Sequence, residues 1–289
     1  MTLVLFSLLF FFNGFSSYIN KKNSSLATNT FKSTLVLVLT GLFAMFNFAI
    51  ISGFKIQITY LTLFYGIMYG LCCAFSIGSG IVTLRYTTVA FKMIFVGAFS
   101  LALNQLIGIF IFDEPLKYEN IIRCLIRIVA AVIAFNPSGF GKKFTKKGIF
   151  WCIICVLVEC FCTVVSKKGA MEPTLDENSW FFLTNFFLFV LSISFLLICI
   201  KVTKPDIKKE LKEYGKKGVF FTFLQSASSN VWSLVSVALM SMVDLTYYSP
   251  VSSALSMIAC FCVSKFILRE PADKRMYIAV ILSIIAVII

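Results

Sequence analysis

Histidine is absent from the sequence, and charged residues make up only 13% of its 289 positions. Without histidine the chain lacks the commonest metal ligand, the usual proton shuttle near neutral pH and the base of imidazole-dependent nucleophilic triads. No nucleophile–base pair and no cluster with metal-ligand spacing is visible, so we expect no enzyme activity, no metal and no cofactor. No stretch is basic enough, or interleaved suitably with aromatics, to favour nucleic acid as a partner.

The scarcity of charge is matched by an excess of apolar residues, which make up 59% of the chain. Soluble domains carry about 45–50% apolar and about 25% charged residues. The ten cysteines lie inside apolar runs and are interpreted as packing residues. The net charge of +13 comes from short loops between these runs, which favours contact with the anionic headgroups of a lipid bilayer. The composition therefore predicts an all-α integral membrane protein.

Ten apolar runs are long enough to be considered as membrane spans, since a helix needs about 20 residues to cross the hydrocarbon. The runs are continuous rather than alternating, which favours helices over membrane strands. We predict ten transmembrane helices, at approximately 2–19, 33–53, 58–80, 87–111, 119–136, 148–166, 179–200, 218–240, 246–268 and 272–289.

A six-residue box with the pattern F-I-x-x-E-P occurs twice, and its glutamates, Glu114 and Glu270, lie 156 positions apart. The lysine pairs that begin at Lys21 and Lys167 follow the first and sixth runs with an offset of 146 positions. A repeat of this size indicates a duplicated fold. We predict two five-helix units, residues 1–138 and 139–289, joined at the hinge-like sequence Asn-Pro-Ser-Gly.

The orientation of the chain is predicted from its loops, because cytoplasmic loops carry an excess of lysine and arginine. The loops after odd-numbered helices, counted together with the adjoining ends of the predicted runs, contain 19 such residues, and those after even-numbered helices contain 4. The odd-numbered loops should therefore be cytoplasmic and both termini outside. An odd number of helices per unit also means that the two units are inverted, as expected of alternating-access carriers.

Each box also predicts where a helix begins. Proline is favoured at the first helical position, and a glutamate just before it meets the positive end of the helix dipole. We therefore predict that Glu114-Pro115 begins the fifth helix and that Glu270-Pro271 begins the tenth. The alternative is that the two glutamates form ion pairs that gate a pathway.

Glu159 is the main candidate for transport chemistry, because an ionisable group near mid-span is costly and needs a reason. It lies eight residues before Lys167, as Asn13 lies eight residues before Lys21. Glu159 and Asn13 are therefore repeat equivalents and should face each other across a pseudo-twofold axis. Glu159 is predicted to bind substrate or a coupling proton, with a structural hydrogen bond between helices as the alternative.

The basic stretch between Lys201 and Lys217 is the longest polar segment of the chain. Ile207, Leu211 and Tyr214 form a narrow apolar stripe within it, spaced as on one face of a helix. This pattern predicts a short helix lying on anionic headgroups, with a solvated linker as the alternative.

These features together resemble the EamA-like branch of the drug/metabolite transporter superfamily. The resemblance covers essentially the whole chain: ten spans, two inverted units, and the acidic positions Glu114 and Glu270 after the fourth and ninth helices. Ser249-Pro250-Val251 is similar to the helix-breaking proline of the family's ninth helix. The resemblance implies a cavity lined by helices 1, 3, 4, 6, 8 and 9, with helix 5 peripheral. It also implies cytoplasmic termini, which is opposite to the prediction from the loops.

Polar and aromatic side chains on the implied cavity helices are candidate substrate-binding residues, with helix–helix hydrogen bonding as the alternative. They are Asn104, Gln105, Gln225, Asn230, Trp232, Tyr247 and Tyr248. Lys92 is a candidate partner of Glu159 or of an anionic group, unless it extends to the interface. Arg123 and Arg127 share one face of the fifth helix, and its implied peripheral position predicts that they reach toward lipid headgroups. Gly66 and Gly70, with serines of the eighth helix, are predicted to form surfaces on which the two units slide.

The sequence predicts a secondary carrier that moves a small organic metabolite across a cytoplasmic or plasma membrane by alternating access. One alternative is an organellar antiporter of nucleotide sugars or phosphorylated metabolites, although the motifs of those carriers are absent. Another is a non-transporting membrane protein with an assembly or sensor role. The expected partners are a small-molecule substrate, the lipid bilayer and, in one arrangement, a second copy of the chain in a homodimer.

Overall fold

The computed structural model describes residues 1–115, 117–134, 146–270 and 274–289. Within these ranges the chain forms ten α-helices and no strand. The helices are α1 (Thr2–Leu26), α2 (Thr30–Ile51), α3 (Tyr60–Tyr86), α4 (Val89–Phe112), α5 (Tyr118–Ala134), α6 (Lys146–Ala170), α7 (Glu177–Thr203), α8 (Ile207–Met242), α9 (Leu245–Cys262) and α10 (Lys274–Ile288). A π-helical turn, Val263–Ile267, continues α9.

Seven of the helices in the described residues are long and apolar enough to cross a membrane. They are α1, α2, α3, α4, α6, α7 and α9 together with its π-helical turn. The described parts of α5 and α10 are 17 and 15 residues long, which is short of the about 20 residues of a full span. The chain is therefore all-helical with several spans, as expected of an all-α multi-pass membrane protein.

The starts of several helices are fixed by polar side chains that accept hydrogen bonds from otherwise unpaired backbone N–H groups. Asn29 caps α2 at Lys32, and Thr88 caps α4 at Phe91. At the start of α3, Thr59 and Thr62 form a reciprocal capping box. These caps divide the apolar sequence into separate helices where hydropathy alone gives blurred ends.

Helices from the first five pack on helices from the last five in an exchanged pattern. α1 packs on α8 and α9, while α6 packs on α3 and α4. In the same way α2 packs on α8 and α3 packs on α7. Pairs that differ by five in number, α2 with α7, α4 with α9 and α5 with α10, pack on each other. The predicted boundary between the two units, at residues 138 and 139, lies outside the described residues.

The basic segment at the start of α8 is helical, as predicted, but it does not form the predicted apolar stripe. Residues 207–214 form the first part of α8, and a kink at Gly215 (φ 56°) turns them back on the rest of the helix. Tyr214 is buried and bonds Gly218 O at 3.0 Å and Thr222 Oγ1, so it does not share a lipid-facing surface with Ile207 and Leu211. The tight fit explains Gly218, since a Cβ there would lie 2.6 Å from the tyrosine ring.

Ion pairs hold the same segment to the start of α2. Lys32 Nζ lies 3.2 Å from Glu210 Oε2 and 2.6 Å from Glu213 Oε2. Asn29 Nδ2 donates to Glu210 Oε2 at 2.8 Å. The hydrogen bond from Asn29, reinforced by Lys32, lowers the pKa of Glu210 below its ordinary value. The segment is therefore attached to the protein by charged groups, while Ile207 and Leu211 remain exposed.

The glycines of α3 permit close packing against α7. A Cβ at Gly66 would lie 2.8 Å from Leu183 Cβ, and one at Gly70 would lie 2.8 Å from Thr184 O. Both neighbours belong to α7. Both glycines therefore lie at a contact between the first five helices and the last five, and the sliding of the two units at this surface stays a prediction.

Candidate functional site

A cavity of about 300 Å³ lies at the centre of the helix bundle. It is lined by residues of α1, α3, α4, α6, α8 and α9, the six helices that the family resemblance implies. Ten serines line it: Ser76, Ser100, Ser166, Ser229, Ser233, Ser236, Ser249, Ser252, Ser253 and Ser256. Such a density of hydroxyl groups inside an apolar bundle suits a ligand that forms hydrogen bonds, because lipid offers them no partner.

Glu159 and Asn13 both line this cavity. Glu159 lies on a face of α6 that also presents Cys162, Thr163 and Ser166 to the cavity. This spacing of three, four and seven residues is that of one helical face. The predicted repeat partners therefore share one cavity, as the offset to the two lysine pairs indicated.

Three other predicted residues, Asn104, Trp232 and Tyr248, also line the cavity. Asn104 Oδ1 and Trp232 Nε1 are buried without a hydrogen-bond partner, as is Asn13 Nδ2. Tyr248 is the exception, since its hydroxyl bonds Ser236 Oγ. Buried polar atoms are rarely left unpaired unless water or a ligand completes them. Other buried polar atoms without a partner, such as Thr40 Oγ1 and Trp180 Nε1, lie elsewhere in the bundle. The cavity is the candidate binding site because it combines such groups with room for a ligand.

Lys92 is buried but does not line the cavity. Its Nζ lies 3.1 Å from the position that a Cβ on Gly80 would occupy. No salt bridge joins Lys92 to Glu159 among the described residues. Glu159 thus lies at the cavity surface, while Lys92 is not among the lining residues and forms no direct ion pair with it.

Three predicted site residues are buried helix-packing groups outside the cavity. Gln225 accepts a hydrogen bond from Asn23 Nδ2, and Asn230 Nδ2 donates to Ala44 O at 3.4 Å. Gln105 Nε2 donates to Thr246 O at 2.9 Å. That carbonyl lies four residues before Pro250, which has no N–H to bond it. Gln105 therefore supports the proline-containing part of α9.

Tyr247 also lies away from the cavity, half-exposed near the start of α9. The guanidinium carbon of Arg123 lies 5.2 Å from its ring centroid, a distance typical of a cation–π contact. Arg123 Nη1 also donates to Asn120 Oδ1 at 2.8 Å. Arg123 therefore has partners within the protein, and its contact with lipid headgroups stays a prediction.

Glu114, from the first box, binds the start of a helix in the other half of the chain. Its two carboxylate oxygens accept hydrogen bonds from the N–H groups of Leu245 and Thr246, both at 2.7 Å. Lys167 Nζ lies 3.8 Å from Glu114 Oε1 and also donates to Met240 O and Val243 O, each at 2.9 Å. We call this buried group the first latch.

Glu270, from the second box, forms an equivalent group, the second latch. Lys21 Nζ lies 3.0 Å from Glu270 Oε1 and donates to Leu84 O at 3.4 Å and Thr87 O at 3.3 Å. Glu270 Oε2 accepts from Val89 N, at the start of α4, at 3.4 Å and from Ser264 Oγ at 2.6 Å. The carbonyls that bind Lys21 lie 156 positions before those that bind Lys167.

The two latches lie at opposite ends of the same helices. α4 begins at the second latch and ends just before Glu114 of the first, a length of about 36 Å for its 24 residues. The predicted role of Glu114-Pro115 as the start of the fifth helix is wrong, because α5 begins at Tyr118 and Glu114 caps α9 instead. Pro271 lies outside the described residues.

Arg127 was not among the predicted site residues, and its predicted contact with headgroups is wrong. The side chain is 1% exposed and points into the bundle. It donates to Ser283 Oγ at 2.5 Å and Ser253 Oγ at 2.7 Å. The sequence held one signal for this contact, since Arg127 and Ser283 are 156 positions apart, the same spacing as the two boxes. That these two side chains meet is visible only in the fold.

Comparisons with known proteins support the fold and name no function. No family model and no curated protein matches the chain. A solved structure described only as the crystal structure of a protein is similar, with a TM-score of 0.60 and 15% sequence identity. The match covers 99% of this chain and 96% of that one. The whole chain therefore has a fold known from experiment, at a similarity that carries no information about substrate.

Proposed function

We propose that this protein is a secondary carrier that moves a small organic metabolite across a membrane by alternating access. The observation that carries the proposal is a central cavity with orphaned polar groups, situated between two equivalent ion-pair latches. A carrier needs a binding site near the middle of the membrane and a closure on each side of it. The first latch closes the end of the bundle where α9 begins. The second latch closes the opposite end, where α4 begins.

The proposal includes ten transmembrane helices arranged as two inverted five-helix units. The exchanged packing of α1 on α8 and α6 on α3 supports it, as do the repeated offset of 156 positions and the two latches. Membership of the EamA-like branch of the drug/metabolite transporters is part of the same proposal. Its support is the Glu-Pro box, the six cavity helices and Pro250 within α9.

Glu159 gives this carrier a means of coupling transport to protons. It is the acidic side chain among the described lining residues, and its repeat equivalent, Asn13, forms hydrogen bonds but cannot carry charge. A carboxylate that exchanges a proton when substrate enters would couple the two fluxes without histidine. We place the protein in a cytoplasmic or plasma membrane, with an anionic surface beside its lysine-rich loops.

The test uses thiol accessibility, because it requires no knowledge of the substrate. Cys162 lines the cavity, and a membrane-impermeant maleimide would report from which side of a vesicle the thiol is reached. Glu270→Gln weakens the second latch and should increase labelling from one side. Glu114→Gln weakens the first and should increase labelling from the other.

Cys162→Ser identifies the signal among the other thiols, and Glu119→Gln serves as the matched control, since Glu119 is exposed at the start of α5. Increased labelling from the same side in both latch variants would contradict alternating access. Unchanged labelling in both would show that the latches do not close the cavity.

A further inference from the structure

Arg127 is a buried cation without an acidic partner among the described residues. Its Nη1 donates to Ser283 Oγ at 2.5 Å and Met257 Sδ at 3.0 Å, and its Nε has no partner. Its Nη2 donates to Ser253 O at 3.2 Å and Ser253 Oγ at 2.7 Å. An unpaired charge inside a membrane protein is costly, and such groups commonly serve function.

The guanidinium lies directly behind one wall of the cavity. Gly97 of α4 and Ser253 of α9 both line the cavity, and Ser253 Oγ donates to Gly97 O at 3.0 Å. A Cβ on Gly97 would lie 3.2 Å from Arg127 Nη2. Because glycine has no side chain, the guanidinium and the Ser253 hydroxyl both approach the backbone of Gly97 at this point of the wall.

The adjoining face of α9 offers hydroxyl groups to the same wall. Ser249, Ser252, Ser253 and Ser256 all line the cavity, at the spacing of one helical face. Ser249 is 5% exposed and its Oγ has no hydrogen-bond partner. Ser253 Oγ already accepts from Arg127, so its own proton is free to turn from Gly97 O to an acceptor in the cavity.

The charges around the cavity favour an anionic ligand. Lys92 and Arg127 are positive and Glu159 is negative, so these three groups carry one net positive charge, and neither cation lines the cavity. α6, which carries Glu159, and α9, which carries Ser253, both pack against α4. Charges interact strongly in such a site because little water screens them.

We propose that the wall formed by Gly97, Ser249 and Ser253 binds the anionic group of a small ligand, with Arg127 as the positioning residue that supplies the charge. Binding is non-covalent. The Ser253 hydroxyl turns to donate to the anionic oxygen of the ligand while it still accepts a hydrogen bond from Arg127. A volume of about 300 Å³ is at the low end for ligand sites, so the ligand is far smaller than a nucleotide sugar. The inference names the substrate class of the proposed carrier and rests on that function for its physiological meaning.

The test measures thermal stabilisation of the purified full-length protein in detergent and chloride-free buffer. The probes are butyrate and benzoate, each beside its uncharged amide, with glycerol 3-phosphate as the phosphate arm. We expect an acid to stabilise the protein more than its amide. Arg127→Gln should reduce the apparent affinity for the acid about 10- to 100-fold, toward that of the amide, since hydrogen bonds to charged groups have this strength.

Ser283→Ala is the matched control, because it removes a partner of Arg127 that does not line the cavity, and it should keep the preference for the acid. Ser253→Ala should weaken that preference, and Arg127→Lys should retain part of it. If Arg127→Gln does not fold, the contrast between Ser253→Ala and Ser283→Ala decides the question. A preference for the phosphate over the carboxylates would identify the anionic group as a phosphate.

Equal stabilisation by acid and amide in the wild type would overturn the inference, as would a preference that persists in Arg127→Gln. Absence of any stabilisation by all three anions would overturn it as well. The proposed transport function is tested separately by the thiol experiment. An anion that binds the wall of a protein with immobile latches would support the inference and refute the carrier.

Discussion

Lys167 and Glu114 come from different halves of the chain and approach to 3.8 Å with both side chains buried. The corresponding Lys21 and Glu270 are 3.0 Å apart, with side chains 22% and 12% exposed. The first pair is therefore the drier, and it holds its carboxylate with two backbone N–H groups at 2.7 Å. The two latches thus have the same types of contact but differ in the solvent exposure of their charged side chains.

We predict that this difference appears as a difference in stability. Glu114→Gln should lower the free energy of unfolding by about 3 kcal/mol, because it leaves buried Lys167 without its anion. Glu270→Gln should cost about 1 kcal/mol, since Lys21 is partly solvated and a charge at a helix start contributes about 0.3–1 kcal/mol. Thermal unfolding in detergent measures both, with Glu119→Gln as the exposed control. A larger loss for Glu270→Gln would show that burial does not set the strength of the latches.

Glu159→Gln should keep the fold and abolish pH-dependent transport. An amide has nearly the shape of the protonated acid, so we expect the stability to change by less than about 1 kcal/mol. Glu159→Asp keeps an ionisable group and should shift the pH dependence rather than remove it. Uptake into proteoliposomes under an imposed proton gradient distinguishes the variants. If the Gln variant transports with unchanged pH sensitivity, Glu159 is a packing residue and Lys92 becomes the candidate for coupling.

The orientation of the chain is predicted by its lysines and arginines, of which 19 lie in or next to odd-numbered loops and 4 in even-numbered loops. A reporter fused after Lys212 should report a cytoplasmic position, and one at Met1 should report the opposite side. Protease protection in intact vesicles provides the second measurement. Reversed results at both sites would favour the cytoplasmic termini that the family resemblance implies.

The close contact between α3 and α7 should tolerate no added methyl group at Gly70. A Cβ there would lie 2.8 Å from Thr184 O and 3.0 Å from Phe187 Cβ. Gly70→Ala should therefore lower stability by about 1–3 kcal/mol through overpacking. Gly78→Ala is the matched control on the same helix, because its Cβ would meet only Leu37 Cδ1 at 3.6 Å. Thermal unfolding that ranks Gly78→Ala as the more harmful change would contradict the described packing.

The attachment of residues 207–214 should depend on pH through Glu210. Because the pKa of Glu210 is lowered in the folded protein, its ionised form stabilises the attachment above the pKa of an ordinary glutamate. That stabilisation is lost as the pH falls through the lower, folded-state value. Hydrogen exchange of these amides should thus stay slow at neutral pH and increase only in acid.

Glu210→Gln should show increased exchange already at neutral pH, since the hydrogen bonds of Asn29 and Lys32 then meet an uncharged group. Glu177→Gln, at the start of α7, supplies a control acid in a helix outside this contact. Exchange that is independent of both pH and Glu210 would mean that Tyr214 alone holds the segment.

The helices could be read from the sequence because hydropathy is a local property. All ten predicted runs overlap helices, and several of the helices extend beyond the predicted run, as Thr2–Leu26 extends beyond 2–19. In the tenth, the predicted start falls on residues 271–273, outside the described ranges. Glu159 and Asn13 were assigned to one cavity by their equal distances from two lysine pairs, and both line it.

Other predictions failed because their physics is not local. Glu114 was assigned to the helix that follows it, yet it caps α9, 131 positions away. Gln105 was predicted to bind substrate. It instead donates to the carbonyl of Thr246, which Pro250 cannot bond because proline has no N–H. Arg127 was predicted at the lipid surface, because one sequence does not reveal that a charge on an amphipathic helix faces its own protein.

The sequence by itself determined that this chain is helical, lies in a membrane and is built from a repeated pattern. Those properties depend on the hydropathy and spacing of neighbouring residues, and they persist whichever helices later touch. Only the tertiary structure decided which side chains meet: Lys167 with Glu114, Lys21 with Glu270, and Arg127 with Ser253. The reason is that a buried charge accepts whatever partner the packing brings within a few ångströms, and packing is settled by the fit of whole helices.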